Sequence, residues 1–573
     1  MNDVNQRQNR HSQIIYLFLL LFFYLFAYLI PLGARDLFVP DEPRYAEIPR
    51  EMIATGDWTV PHFNGLRYFE KPVLGYWLHA VSLLLFGENN FAVRLPSALA
   101  AGLSALLIFF MVKKGRWQAR NGPEHFAPVA AALIFLSSVE VLAVGNTAVL
   151  DSLFSFFLTV CVVAFYYATE TTPGSVKEKG WLLVAGLLCG LAFLTKGFVA
   201  FAVPVLTLAP YLFWQRRYAD IFRMGWLPIV VAVIVALPWA VAIHLKEPDF
   251  WNFFFWNEHI RRFASDDAQH KQSFWLFLLT TPATAFPWTF MIPAAAVGIK
   301  KLWREQTELS GLFKFCLCWM IIPLLFFSLS KGKLLTYILP CFPPFAMLMA
   351  FGLLRILRRD GDHGQSKLFQ AGLVVNGLLL AIVIIAFVSF QIFAFRGFKP
   401  YGQSWQATVI CGGLLCQLMC WWWAYQRKEA QAKIVFFAVA MIFIYFPLHY
   451  LLPDQTIEVK CPGPMLTKNS VTITKDDIII ADSNLVGAIS WYLRRNDIYI
   501  LGYHGELDYG LTYPDAKEKS LDFESASALI EQNRGRAFLV ARVSVYERWR
   551  DKLPSPTARE RNGSEEGYEI IRF

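Results

Sequence analysis

Residues 36–72 read DLFVPDEPRYAEIPREMIATGDWTVPHFNGLRYFEKP. Directly before them lies one apolar run, Ile14 to Leu32. It is long enough to cross a bilayer and lacks a small-residue cleavage site, so it reads as a retained anchor. The stretch itself carries Asp41, Glu42, Arg44, Glu47, Arg50, Glu51, Glu70 and Lys71. A loop this dense in both signs of charge, in a chain this apolar, reads as the first wall of a site at a membrane surface. The alternative is a solvated connector.

The rest of the composition agrees with a membrane setting. Of 573 residues, 56% are hydrophobic and only 17% charged, and the mean hydropathy is +0.40. Soluble domains carry about 25% charged residues. The net charge of +9 belongs mostly in cytoplasmic loops of a polytopic protein. No basic patch is interleaved with stacking aromatics in the manner of a nucleic-acid surface. Eight of the nine cysteines lie in apolar runs and Cys461 stands alone in the tail, which excludes a disulfide framework there. Cys316 and Cys318 lack metal-knuckle spacing, and buried cysteine behaves as a small hydrophobe.

After the charged loop, Val73 to Phe86 is apolar but too short to cross comfortably. Reading it as an interfacial helix leaves the basic run Lys113, Lys114, Arg116, Arg120 on the side of Arg7 and Arg10. That choice obeys the positive-inside rule and puts the Asp41 loop outside. Spans follow at Leu95–Val112, Ala127–Val144, Val149–Ala168, Trp181–Leu194, Phe198–Trp214, Trp226–His244 and Phe274–Ile299. Five more follow at Leu312–Leu329, Tyr337–Leu354, Leu368–Ala394, Thr408–Tyr425 and Ile434–Leu452. With the first anchor this makes about thirteen, with the N-terminus inside and the C-terminus outside. From Pro453 the pattern changes. Strand-like runs at 477–482, 498–502, 537–542 and 568–573 alternate with helical patterns at 484–495, 524–533 and 543–552. They predict a small α/β domain with a partly parallel sheet. The expected fold is therefore a membrane all-α bundle over residues 1–452, followed by an α/β domain over 453–573.

Polar residues collect where loops meet the outer membrane edge. Asp41 and Tyr45 share one face of a helix that Pro43 suits, although Asp41 could simply cap it. Glu70 and Lys71 close the loop. Asp151 opens a span, and a carboxylate at that depth is costly and usually functional. Capping is its alternative. Lys196 ends a short span, where it either snorkels or serves the site. The loop 245–273 carries Glu258, His259, Arg261 and Arg262, and Lys331 and Lys333 precede a span on the outer side. Cations suit a phosphate-bearing substrate, and carboxylate with histidine suits a divalent metal or acid–base work. There is no phosphate-loop motif, no Rossmann glycine run and no H-E-x-x-H. A donor held in the membrane fits better than a soluble nucleotide sugar.

Several segments, in order, carry a resemblance: FVPDEPRYAEIPREM, RYFEKPVLGYWL, LTKG, WNEHIRRF, SKGKLLTYILPCFPP and GELDYGLTYPD. Together the chain resembles the aminoarabinose transferases of Gram-negative bacteria, polyprenyl-phosphate-dependent membrane glycosyltransferases of the GT-C fold. Its first outer loop is similar to that of protein O-mannosyltransferases. The resemblance implies transfer of 4-amino-4-deoxy-L-arabinose from undecaprenyl phosphate to lipid A phosphates at the periplasmic face of the inner membrane. That transfer lowers surface negative charge and with it sensitivity to polymyxin. It implies catalytic roles for Asp41, Lys71 and Asp151. Arg44, Tyr45, Lys196, Tyr337 and Glu506 would meet substrate, and the cations Arg261, Arg262, Lys331 and Lys333 are added to that set. Glu70 and His259 would bind a divalent metal such as zinc, and the enzyme would act as a monomer among inner-membrane lipids. Two alternatives stand beside this. One is a related transferase for another sugar or a protein acceptor. The other is a lipid flippase, which would call for inverted repeats and broken central helices; the sequence displays neither.

Overall fold

Ten helices among the described residues are long and apolar enough to cross a membrane, from Ile15–Gly33 to Ala430–Tyr450. The computed structural model describes residues 15–114, 123–261, 271–305, 310–357, 363–470, 472–563 and 565–573. Two further segments qualify as bent pairs, and Val199–Trp214 is a shorter apolar helix. In order, these match the thirteen segments expected from hydropathy. Leu74–Phe86 forms the expected short helix. The span Lys367–Phe393 exposes Leu378, Ile382 and Ile385. Such an apolar face is tolerated where hydrocarbon, not water, is the solvent. All nine cysteines are free.

The two bent pairs depart from the sequence reading. Ala127–Ser137 turns by 65° into Val139–Gly145, and Leu276–Thr284 turns by 98° into Trp288–Arg304. A break frees backbone polar groups that hydrocarbon cannot satisfy. Here the two breaks satisfy each other. The Val139 N–H donates to the Phe286 carbonyl at 2.9 Å, and Trp288 Nε1 donates to Ser137 Oγ at 2.9 Å. The local signals were Ser137-Ser138 in one break and Pro287 in the other.

The charged stretch folds into the helix Asp41–Thr55, which Gly56 ends in the left-handed conformation at φ 71°. A two-stranded hairpin follows, β1 (His62–Phe63) and β2 (Leu66–Arg67). Glu51 ties the helix to this hairpin by accepting from the Asn64 and Gly65 amides at 2.6 and 2.9 Å. One turn earlier, Glu47 is fully buried beside Glu51 and accepts from Arg50. Burial pushes the Glu47 carboxyl up to about 8; the Arg50 guanidinium opposes this and the neighbouring Glu51 adds to it. The folded state therefore holds a proton here that the unfolded chain releases near pH 4.3. The stability this proton contributes is complete below that value and is lost as pH rises through about 8. Melting curves between pH 5 and 9 test this. Wild type should lose stability relative to Glu47→Gln as pH rises, and a pH-independent difference would refute it.

The tail builds a six-stranded sheet in the order β5-β4-β3-β6-β8-β7. Its strands are β3 (Ile478–Ala481), β4 (Tyr499–Leu501), β5 (Ser520–Leu521), β6 (Ala537–Arg542), β7 (Ala558–Asn562) and β8 (Tyr568–Arg572). β5, β4, β3 and β6 run parallel, whereas β8 is antiparallel to both β6 and β7. β5 and β7 are the strands the sequence did not announce. One is two residues long and the other reads ARERN, a charged edge. Side chains alternate between two cores with the strand period of two. Ile480, Leu501, Leu539 and Ile571 pack outward with Ile530 and Tyr546. Ile479, Ile500, Phe538, Val540 and Ile570 join the core that continues into the helical bundle. The helix Val486–Leu493 lies on the Asp41–Thr55 helix. A Cβ on Gly487 would approach the Arg44 backbone nitrogen to 3.2 Å, so a small residue lets the two helices meet.

Candidate functional site

A buried ion cluster sets the height and direction of the helix Asp41–Thr55. Glu42 is 0% exposed and accepts from Arg35 Nη1 at 2.5 Å, Arg94 Nε at 2.7 Å, and the amides of Phe38 and Ala148 at 2.8 and 3.0 Å. Arg94 also donates to the carbonyls of Leu32, Arg35 and Asp36. The cluster therefore joins the end of the first span, the helix start, the span Asn90–Lys114 and the junction near Asn146. Burial alone would raise the Glu42 pKa. The two guanidiniums outweigh it and hold the carboxyl below the usual range.

With Glu42 turned inward, Asp41 faces a polar cavity of about 660 Å³. Its side chain does not cap the helix. The N-cap position is Pro40, and Asp41 accepts instead from Arg44 Nη2 at 2.5 Å. Arg44 Nη1 donates to Glu506, which also accepts from the Tyr68 hydroxyl at 2.7 Å. Burial works against the Arg44 charge, but the neighbouring Tyr68 and Tyr45 oxygens and the Asp41 carboxylate outweigh it and raise its pKa. Glu506 arrives on a loop after β4 that also brings Tyr503 and His504 to the cavity, while Ser483 and Asn484 come from the end of β3. In parallel sheets, ligand sites lie outside the carboxyl ends of the strands where strand order reverses. β3 stands at that reversal, between β4 and β6.

A second cavity of about 440 Å³ adjoins the first and is mostly apolar, lined by Phe154, Phe198, Val199, Phe326, Phe327 and others. Lys71, Asp151, Lys196, Thr336 and Tyr337 line both. Asp151 lies one residue into its helix, after the N-cap Val149, and accepts from Lys196 Nζ at 2.5 Å. Lys196 lies 4.7 Å from the centroid of the Tyr337 ring. Lys71 Nζ donates to Glu258 at 2.8 Å and stands 3.6 Å from the Glu70 carboxylate, which is 5% exposed. The joint between the cavities thus carries two ammonium groups and a phenol at the mouth of an apolar chamber. That arrangement can hold the phosphate of a lipid whose chain lies in the chamber.

Asp41, Arg44, Tyr45, Glu70, Lys71, Asp151, Lys196, Tyr337 and Glu506 therefore share one polar cavity. Lys331, Lys333 and Arg261 are not among the lining residues of the two cavities. Lys333 is buried and donates to the Gln272 carbonyl at 2.9 Å, beside the Lys271–Gly332 bridge. It ties two segments together. Arg262 and the side chain of His259 lie outside the described residues. Among the described residues, no group of three His, Cys, Asp or Glu side chains is placed to hold a metal. Sequence reasoning missed Tyr68 and the tail residues Ser483, Asn484, Tyr503 and His504. Tyr68 stood within the quoted stretch, three residues before Lys71. The tail residues carried no local signal, because their role comes from strand order.

Comparison with known proteins agrees with this architecture. A family model described as dolichyl-phosphate-mannose-protein mannosyltransferase matches residues 13–254, and one described as arabinosyl transferase ArnT, C-terminal domain, matches residues 457–566. The undecaprenyl phosphate-alpha-4-amino-4-deoxy-L-arabinose arabinosyl transferase of Aeromonas hydrophila is 41% identical over 547 residues, covering 94% of this chain and 95% of that protein. Its counterpart in Erwinia tasmaniensis is 38% identical over 565 residues, covering 96% and 97%. The crystal structure of ArnT from Cupriavidus metallidurans bound to undecaprenyl phosphate superposes with a TM-score of 0.78 at 21% identity, covering 98% of each chain. The bundle is thus of the GT-C type, and the chain belongs to the family of undecaprenyl phosphate-aminoarabinose arabinosyl transferases.

Proposed function

We propose that the protein moves 4-amino-4-deoxy-L-arabinose from undecaprenyl phosphate to a phosphate of lipid A, at the periplasmic face of a bacterial inner membrane. The observation that carries this reading is the joint of the two cavities at Lys71, Asp151, Lys196 and Tyr337. The phosphate-proximal end of a polyprenyl chain suits the apolar chamber, its phosphate the joint, and the sugar with the acceptor phosphate the polar cavity.

The bond between the sugar's anomeric carbon and the donor phosphate oxygen breaks, and its electron pair leaves with undecaprenyl phosphate. An acceptor phosphate oxygen forms the new bond to that carbon. A phosphate monoester has a second pKa near 6, so the acceptor is largely anionic at neutral pH and needs no strong base. Asp41 accordingly positions the sugar and stabilises the positive charge that develops on it. Lys71 and Lys196 stabilise the departing phosphate. The product phosphate carries less negative charge and gains an ammonium, which weakens the attraction of cationic peptides.

A divalent metal such as zinc belongs to this reading. Glu70 and Glu258 both face the ammonium of Lys71. Hard carboxylate oxygen donors suit a divalent cation. Glu70 and His259 would hold it, and it would add positive charge near the donor phosphate. The test is purified protein in vesicles with lipid-linked aminoarabinose and lipid A. Mass analysis should find lipid A heavier by one aminopentose, with zinc bound by wild type and diminished in Glu70→Gln. A folded protein that leaves lipid A unchanged would refute the transfer, and absence of any bound metal would refute the metal.

A further inference from the structure

We infer that Glu506 is the specificity-determining residue for the donor, reading the amino group on the sugar carbon opposite the reacting one. The inference rests on the transferase reading above. It starts from the charges of the polar cavity. Among its described lining side chains, Asp41, Glu70, Asp151 and Glu506 are carboxylates, against the cations Arg44, Lys71 and Lys196. Asp151 and Lys196 pair one to one. The imbalance at the roof lies at Arg44, whose single guanidinium serves both Asp41 and Glu506. One negative charge is left over there. A donor phosphate entering the neighbouring joint increases that excess, whereas a sugar ammonium cancels it.

Geometry separates the two carboxylates on Arg44. They take opposite nitrogens of the guanidinium, Nη2 for Asp41 and Nη1 for Glu506. They also come from distant parts of the chain, since Asp41 shares the helix of Arg44 and Glu506 lies 462 residues after Arg44. In a 4-amino pyranose, carbon 4 lies across the ring from carbon 1. One carboxylate can therefore serve the anomeric end while the other meets the ammonium. Asp41 lies on the helix that also carries Arg44 and Tyr45, and is assigned to the anomeric end. Glu506 lies on the roof. Its loop turns at Gly502 and Gly505, with φ of 84° and 59°, and His504 anchors it between Ser520 and Asp508 at 2.9 and 3.2 Å. The Arg44 and Tyr68 bonds both fall on one carboxylate oxygen of Glu506, and the side chain is 28% exposed, so its other oxygen can meet a ligand without a new cavity opening. A site that holds a charged group rejects analogues lacking it, because its own charge is then left unpaired.

The test compares two lipid-linked donors, the 4-amino sugar and its 4-hydroxy counterpart, by kcat/KM in vesicles. Wild type should prefer the amino donor. Glu506→Gln should reduce that preference about 10- to 100-fold, and Glu506→Asp, which keeps the charge, should retain most of it. Equal losses on both donors would overturn the inference, since they would mean that Glu506 only holds Arg44. Should Glu506→Gln fail to fold, wild type still decides: equal rates with the amino and hydroxy donors overturn the inference. Transfer of neither sugar by folded wild type would instead bring down the transferase reading itself.

Discussion

Asp41→Asn is expected to lower the transfer rate by about 100- to 1,000-fold while the purified protein melts as wild type does. The expectation follows from where this carboxylate stands. Its side chain is 54% exposed, faces the polar cavity, and has Arg44 as its ion-pair partner. Asparagine keeps the size of the side chain and an oxygen for Arg44, so packing is unchanged. The change removes one full negative charge at the place where the sugar becomes positive. An interaction stronger in the transition state than in the ground state shows in kcat, so kcat should fall more than donor affinity. Steady-state rates with lipid-linked donor, beside thermal melting in detergent, give both readouts. Near-wild-type transfer from a folded variant would remove Asp41 from the chemistry.

The adjacent residue should behave in the opposite way. Glu42→Gln is expected to cost about 3–5 kcal/mol of stability, the range for removing one partner of a buried ion pair. Arg35 and Arg94 both pair with this carboxylate, and Arg94 is 0% exposed. A neutral amide leaves two guanidiniums in the interior without their counter-charge. Both are held in place, Arg94 by the carbonyls of Leu32, Arg35 and Asp36 and Arg35 by that of Asn146. Activity should fall as well, because the same cluster holds the start of the helix that presents Asp41. Denaturation midpoints of wild type and variant would measure the loss. A variant within about 1 kcal/mol of wild type would show that the cluster is replaceable. The two neighbours, Asp41 and Glu42, thus separate chemistry from stability by their direction on one helix.

Which of the two turns inward could not be read from the quoted stretch. Both begin the same helix, and both are carboxylates. The outcome depended on Arg94, 52 residues away from Glu42, and Arg35, seven residues before it. The same holds for Asp151. Its depth in a span marked it as costly, but its partner Lys196 lies 45 residues on. Lys333 illustrates the reverse. Positive charge on the outer side suggested a site, yet Lys333 serves the backbone at Gln272.

Spans and the tail sheet's main strands were legible from residue order, because hydropathy runs and period-two alternation are local properties of a chain. The two breaks were not. A helix bends only where another element satisfies the freed groups, as Phe286 does for Val139. Nor was the roof of the cavity: Glu506 reaches Arg44 because strand order sets β3 between β4 and β6 and turns their carboxyl ends toward the bundle. Local pattern chose which residues could do chemistry, and long-range packing chose their partners, because charge pairing acts across a few ångströms of space whatever the separation along the chain.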